Sequence, residues 1–351
     1  MKVITKMELK PGMVLGEDIV YQDQVIFAAD TVMDEKMIER VGRYSSVMCV
    51  TVKEEVDFAS THYEKIRFDQ RFQEFAKRHG ECLMRYKGVM LSFLGTKQAI
   101  FDSVLMQIYY DVAEKISGGA ELLDFLYNMM PNEDELTYTQ GLNAALLAGA
   151  FADWILMSEE DKKILILSGF YYDIKWTLPY DILWKPGKLT EEEYRRVKDH
   201  PVIGYSIVRN DYNLNEHVKN AVIMHHERFD GSGYPYHMKG TRIDLFARYI
   251  AIVDTYIAMA SPRVYRPAFT PRQILENFEM SLDKYDIELL MPLMKRIADA
   301  QIGTHVQLSD DSVWEVLIIQ QNKLSRPILR NESNQILDLN MRPELKIVKN
   351  V

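Results

Sequence analysis

The sequence predicts a mainly α protein, with an all-helical central domain flanked by a small β-rich module at the N-terminus and another at the C-terminus. Three observations predict it. Apolar residues recur at spacings of three and four through the centre of the chain, and both ends break into short β-rich runs separated by turn residues. The 351 residues, 47% of them apolar, suffice for more than one core.

Residues 1–57 read as the first module. Runs at 14–21, 25–28 and 46–52 are rich in β-formers and are punctuated by Pro11-Gly12. A helix over 34–43 sets Met37, Ile38 and Val41 on one face and supports the sheet. Residues 58–130 read as a helical linker region, without proline from about Tyr63 to Met130; an extra helical pair here fits a homodimer seam or an ordinary packed core equally well. Residues 131–300 hold successive amphipathic helices, with most polar chemistry at their ends and in the turns between them. Residues 301–351 return to short apolar runs (THVQLS, SVWEVLII, RPILR, QILDL, LKIV) and read as the second β module.

Composition narrows the function classes. Net charge is −9 and Lys and Arg never gather into a long run, so neither nucleic acid nor an anionic membrane is an expected partner. Cys49 and Cys82 alone make no disulfide framework or metal knuckle. The opening MKVITKMELKPGMVLGEDIV lacks the apolar core of a signal peptide, and no run of 18 apolar residues occurs, so a cytoplasmic location is expected.

The densest chemistry lies in His225-His226-Glu227-Arg228-Phe229-Asp230-Gly231-Ser232-Gly233-Tyr234-Pro235. Adjacent histidines at a helix end, followed by a Gly- and Asp-rich turn, can aim two imidazoles into one cleft. His200 begins another helix, Asp173 ends the apolar run ILILSGFYYD, and Asp254 interrupts RYIAIVDTYIAMA. A carboxylate on an apolar helix face is costly to bury unless a cation compensates it. Any one such residue usually has a structural role. Five together point to a divalent metal.

In their order along the chain, these segments resemble the HD-GYP family of bacterial cyclic di-GMP phosphodiesterases, a branch of the HD metal-dependent phosphohydrolases. His225 through Pro235 is similar to the family's HHE and DGSGYP signature, and Leu178-Pro179, Ile182-Leu183 and Lys185 through Thr190 resemble its IPxxILxKPGKLT segment. His200-Pro201 with Gly204-Tyr205 resembles the next histidine motif, and IVDTYIAMASPRVYR resembles the aspartate helix, with Asp254 in the ligand position. MELKPGMVLGEDIV, and IGTHVQLS with RPILR, resemble small modules found before and after this domain. The resemblance implies an HD-type domain over 131–300, metal ligands Asp173, His200, His225, His226 and Asp254, and Asp173 and Lys175 in catalytic positions. It turns Lys188, Arg228, Asp230, Gly233, Tyr234, Pro235 and Arg248 toward cyclic di-GMP or a related cyclic dinucleotide: cations for phosphates, Tyr234 to stack on a base. The same loop also reads as an ordinary rigid turn.

Two ligand positions depart from the family pattern. Gln140, in Thr137 through Asn143, stands where the family has an upstream metal-binding histidine. The HDIGK segment appears as Tyr172-Asp173-Ile174-Lys175, with Tyr172 for the histidine and one residue missing. Aligned from the downstream proline instead, Tyr171 and Tyr172 take both positions and Asp173 falls out of register. The first alignment is preferred because Asp173 keeps its spacing from Ile164, Leu167 and Phe170 and the gap falls in a turn. Ile257 and Pro262 also replace residues that are usually acidic in the family.

In the resembling enzymes one metal takes the upstream histidine, the HD pair and the late aspartate, and its neighbour takes the HD aspartate and three later histidines. Transferred here, the first site keeps Asp173 and Asp254, while an amide and a phenol of ordinary pKa about 10 are poor substitutes for the rest. The second keeps Asp173, His200, His225 and His226, a sound set for Fe, Mn or Zn. The expectation is one divalent metal per chain or none. It favours a protein that recognises cyclic di-GMP or a related cyclic dinucleotide, with weak or no hydrolysis, and signals through shape or the binding of a partner protein. The alternatives are an active phosphodiesterase yielding pGpG and GMP, and a dimerising scaffold that binds no nucleotide.

Overall fold

The structure is a computed structural model and describes residues 1–22, 24–53, 62–96, 98–129, 136–174, 182, 185, 188–261 and 268–351. Helices dominate its centre, and small antiparallel sheets stand at both ends.

In the N-terminal module β1 (Lys2–Thr5) pairs with β4 (Cys49–Val52), and β2 (Ile19–Tyr21) pairs with β3 (Gln24–Phe27). Helix α1 (Glu35–Gly42) starts where Asp34 accepts from the Met37 amide at 2.7 Å, an N-cap that satisfies one of the helix's free donors. Its Met37 and Val41 enter a core with Ile4, Leu15, Val50 and Val52. The run at 14–21 becomes strand only from Ile19; Val14 and Leu15 make isolated bridges to Val32 and Val52 instead. All five C-terminal runs become strands: β5 (His305–Leu308), β6 (Val313–Ile318), β7 (Ile328–Arg330), β8 (Ile336–Asp338) and β9 (Ile347–Asn350), in the order β8-β7-β6-β5-β9.

Between the sheets lie α2 (His62–Phe68), α3 (Gln70–Thr96), α4 (Asp102–Ala113), α5 (Gly119–Asn128), α6 (Leu136–Trp154) and α7 (Glu159–Tyr171). These are followed by α8 (Glu191–Lys198), α9 (His200–Val208), α10 (Glu216–Met224), α11 (Leu245–Ala260), α12 (Pro271–Glu279) and α13 (Ile287–Asp299). One apolar core runs from Phe72 through Leu324, so the helices expected to link two domains pack into the same core as those that follow. Their contacts in this chain are those of an ordinary packed core.

Helix α6 is buried on nearly every side, as expected of a central helix without a polar face. It lies directly against α7: a Cβ on Gly169 would stand 2.6 Å from the Ala145 backbone nitrogen, so only glycine allows this approach. The approach fixes the C-terminal end of α7, where Tyr172 and Asp173 emerge.

Candidate metal centre

Each expected metal ligand sits at a helix end or on a buried helix face. Tyr172 caps α7 and Asp173 follows it. His200 opens α9, His225 caps α10 with His226 next, and Asp254 lies inside α11. Packing of α7, α10 and α11 on one another brings these positions together, and Tyr172, Asp173, His200, His225 and Asp254 are all buried.

Backbone carbonyls determine the histidine tautomers. His200 Nδ1 is 2.6 Å from the Val197 carbonyl, and His225 Nδ1 is 2.9 Å from the Val222 carbonyl. A carbonyl only accepts, so both rings carry hydrogen on Nδ1 and present Nε2 as a lone pair. The two Nε2 atoms face each other at 3.1 Å. Two lone pairs at that distance require a proton or a cation between them. Holding imidazoles by their Nδ1–H groups is how proteins orient metal-binding histidines.

His226 completes a group of three imidazoles whose ligand atoms lie within 4.8 Å of one another. Asp173 Oδ1 is 3.5 Å from His200 Nε2, and His226 Nδ1 is 4.0 Å from Asp254 Oδ2. Three imidazoles and a carboxylate fit a borderline-soft divalent ion.

The other side of the cluster differs. The Tyr172 hydroxyl donates to Asp254 Oδ1 at 3.1 Å, and its ring meets His225 edge-on at 5.1 Å between centroids. Gln140 is buried in α6, and its Nε2 has no hydrogen-bond partner among the described residues.

The loop after His226 folds around Glu227. This buried carboxylate accepts from the Tyr236 amide at 2.6 Å and the Met238 amide at 2.9 Å, which draws the loop back over the histidines. Gly233 lies against backbone: a Cβ there would stand 2.3 Å from Arg228 N and 2.4 Å from His226 O. Asp230 accepts from the Ser232 amide and hydroxyl at 2.8 and 2.7 Å, forming a local turn. Tyr234 then stacks on His226, ring centroids 4.7 Å apart, and burial raises its phenol pKa well above the usual range, leaving a neutral flat face.

The residues expected to face a nucleotide divide in two. Tyr234 and Gly233 lie at the histidines. Arg228 bonds the carbonyls of His225 and Glu227, each at 3.0 Å, and lies over the Tyr285 ring, so it braces the helix end. Arg248 pairs with Asp286 at 2.6 Å. Lys188 is exposed and Pro235 half-buried in the loop. Lys175, and the Pro179, Leu183 and Pro186-Gly187 parts of the KPGKLT-like segment, lie outside the described residues, as does Pro262; Ile257 is buried in α11.

Two residues of the site carry no sequence expectation. Glu227 has its signal inside the His-His-Glu run, but the amides it accepts lie 9 and 11 residues on, beyond what spacing indicates. Lys198, in the basic last turn of α8, lies over the rings of Tyr194 and Tyr234.

Comparison with known proteins agrees with this architecture. Residues 124–289 match the HD domain family, so this stretch is an HD domain. The chain is similar to several cyclic-dinucleotide phosphodiesterases. It is 38% identical over 143 residues to the cyclic di-GMP phosphodiesterase response regulator RpfG of Xanthomonas campestris, covering 38% of each chain. It is 29% identical over 189 residues to a cyclic di-GMP phosphodiesterase of Pseudomonas aeruginosa, covering 54% of this chain and 46% of the other. To the 3'3'-cGAMP-specific phosphodiesterase 1 of Vibrio cholerae it is 32% identical over 170 residues, 46% and 38% of the two chains. The matched stretches span between about a quarter and a half of these and other curated relatives. A solved structure, Bd1817, an HDG"Y"P protein from Bdellovibrio bacteriovorus, shares the fold with a TM-score of 0.51 at 12% identity, over 84% of this chain and 98% of that one. No helix among the described residues is long and apolar enough to cross a membrane.

Proposed function

We propose that this chain is a cyclic di-GMP signalling protein that holds one divalent metal at His200, His225, His226 and Asp173, binds a cyclic dinucleotide there, and hydrolyses it weakly or not at all. The observation that carries this reading is the 3.1 Å hydrogen bond from Tyr172 to Asp254. It places a neutral donor on the carboxylate that the family resemblance assigns to another metal. A group that donates a proton to Asp254 competes with a cation for the same oxygen. With one ion in place of two, part of the electrostatic stabilisation of attacking and leaving oxygens is lost.

Support for the ligand comes from the relatives, whose names give cyclic di-GMP and 3'3'-cGAMP as substrates. A bound divalent ion would supply Lewis acidity toward a phosphodiester. The protein's own part is to orient the imidazoles through Nδ1 and to close the loop through Glu227. The second reading, an active phosphodiesterase, is favoured by the retention of both Asp173 and Asp254 at the cluster.

The test is bound metal per chain after purification without chelator, with chromatography of pGpG and GMP after incubation with cyclic di-GMP and Mn²⁺ or Fe²⁺. The expected result is about one ion and little product. Two ions per chain, with turnover that disappears in His225→Ala, His226→Ala, would overturn the reading. Absence of both metal and nucleotide binding would leave a scaffold.

A further inference from the structure

We infer that Lys198 is a nucleotide-binding residue of this site, its ammonium anchoring the phosphodiester that the metal centre does not hold. The inference rests on the cyclic-dinucleotide reading and adds a specificity residue to it.

Lys198 ends α8, two residues before His200. Its Nζ lies 4.7 Å from the Tyr194 ring centroid and 5.6 Å from that of Tyr234. Tyr234 in turn stacks on His226 at 4.7 Å, so the ammonium stands no farther than about 10 Å from a ring of the histidine cluster. Both separations fall within cation–π range, and this attraction directs the long side chain toward the loop.

Among the described residues, three other cations of this region are occupied. Arg228 bonds two carbonyls, Lys185 pairs with Glu193 at 2.7 Å, and Arg248 pairs with Asp286 at 2.6 Å. Lys198 is held by ring faces, which engage its charge while leaving its N–H groups able to donate to an anion. In a chain of net charge −9, a half-buried cation held over aromatic faces beside the histidine cluster is a placement that suits a phosphate.

The stoichiometry of the ligand supplies the rest. A cyclic dinucleotide carries two phosphodiesters on opposite sides of its ring. When one lies at the imidazole cluster, the other needs a counter-charge several ångströms away, and Tyr194, 51% exposed, and Tyr234 offer flat faces beside it. A favourable contact with the negative end of α8 would also suit a lysine here, but Arg195 and Arg196 serve that end and need no aromatic pair.

The experiment compares wild type, Lys198→Met and Lys198→Arg, all loaded with Mn²⁺, for metal content and for calorimetric binding of cyclic di-GMP and of bis(p-nitrophenyl) phosphate, which has one phosphodiester. Methionine keeps the apolar stem on the rings and removes the charge. The expected result is cyclic di-GMP binding weakened roughly 10- to 100-fold in Lys198→Met, within about fivefold of wild type in Lys198→Arg, and less than about twofold change for the single phosphodiester. Metal content stays unchanged. Equal cyclic di-GMP affinity in wild type and Lys198→Met overturns the assignment, and so does a parallel loss of metal or of the single phosphodiester, which would make Lys198 a brace for the loop. Wild type that fails to bind cyclic di-GMP at all refutes the functional reading itself, and the assignment with it.

Discussion

Tyr172 and Asp254, 82 residues apart in sequence, meet in the buried interior through a 3.1 Å hydrogen bond. Each comes from a different helix segment, and each borders the histidine cluster. Removing the hydroxyl in Tyr172→Phe deprives a buried carboxylate of this donor. The metal-free variant should unfold with roughly 1–3 kcal/mol less stability in urea titrations. Replacing both positions, Tyr172→His with Gln140→His, should raise bound Mn²⁺ above the wild-type value. A double variant that binds no more metal than wild type would show that these two positions do not limit the site.

Glu227 holds the loop by accepting two amides. Glu227→Gln keeps one oxygen but turns an NH₂ group toward the other amide, leaving two donors facing each other inside the protein. A stability loss of roughly 1–3 kcal/mol is expected, together with weaker metal retention because the loop carrying Tyr234 loosens. Equilibrium unfolding with metal analysis of the same samples tests both.

Gly233→Ala should be worse than an ordinary loop substitution. The added methyl would meet the backbone of residues 226–228 at 2.3 to 2.5 Å, and that backbone cannot yield without moving His226. Overpacking of this kind costs roughly 1–3 kcal/mol or more. Ser232→Ala, one residue away and exposed, is the control: it loses one exposed hydroxyl bond to Asp230, keeps the amide bond, and should cost less than about 1 kcal/mol.

His79 predicts a pH dependence that does not involve the histidine cluster. Burial between helices lowers its pKa to about 4, against the hydrogen bond to Asn143 that favours the charged form. The unfolded chain takes up a proton below about pH 6.5 whereas the folded chain resists until about pH 4, so this contribution is complete above 6.5 and is lost as pH falls between the two. Lowering the pH from 7.5 to 5 should cost wild type roughly 2 kcal/mol more than it costs His79→Gln. Urea midpoints of both proteins at the two pH values check it, and parallel slopes would refute it.

Much of the fold was legible because it follows from local patterns. The capped helix α1, the five C-terminal strands and the placement of His200, His225 and Asp254 at a helix start, a helix end and a helix interior all arise from short-range periodicity and turn chemistry. The strand expected from residue 14 was shortened because Val14 and Leu15 pair singly with separate partners, which depends on distant chain segments. The same holds for α3 to α5. Their helical character was plain, but a linker and a core component have the same periodicity, and only the shared burial from Phe72 onward distinguishes them.

The sequence by itself determined which residue types the site has available: three histidines, two aspartates, a glycine-rich turn, a tyrosine and a glutamine. Tertiary structure alone decided what these groups do to one another. It set two Nε2 lone pairs face to face, gave Tyr172 to Asp254, turned Arg228 and Arg248 to structural partners, and laid Lys198 over two rings. The reason is physical. Hydrogen bonds and ion pairs depend on ångström distances between atoms of different helices, and those distances come from how apolar faces pack, which no local pattern in the chain encodes.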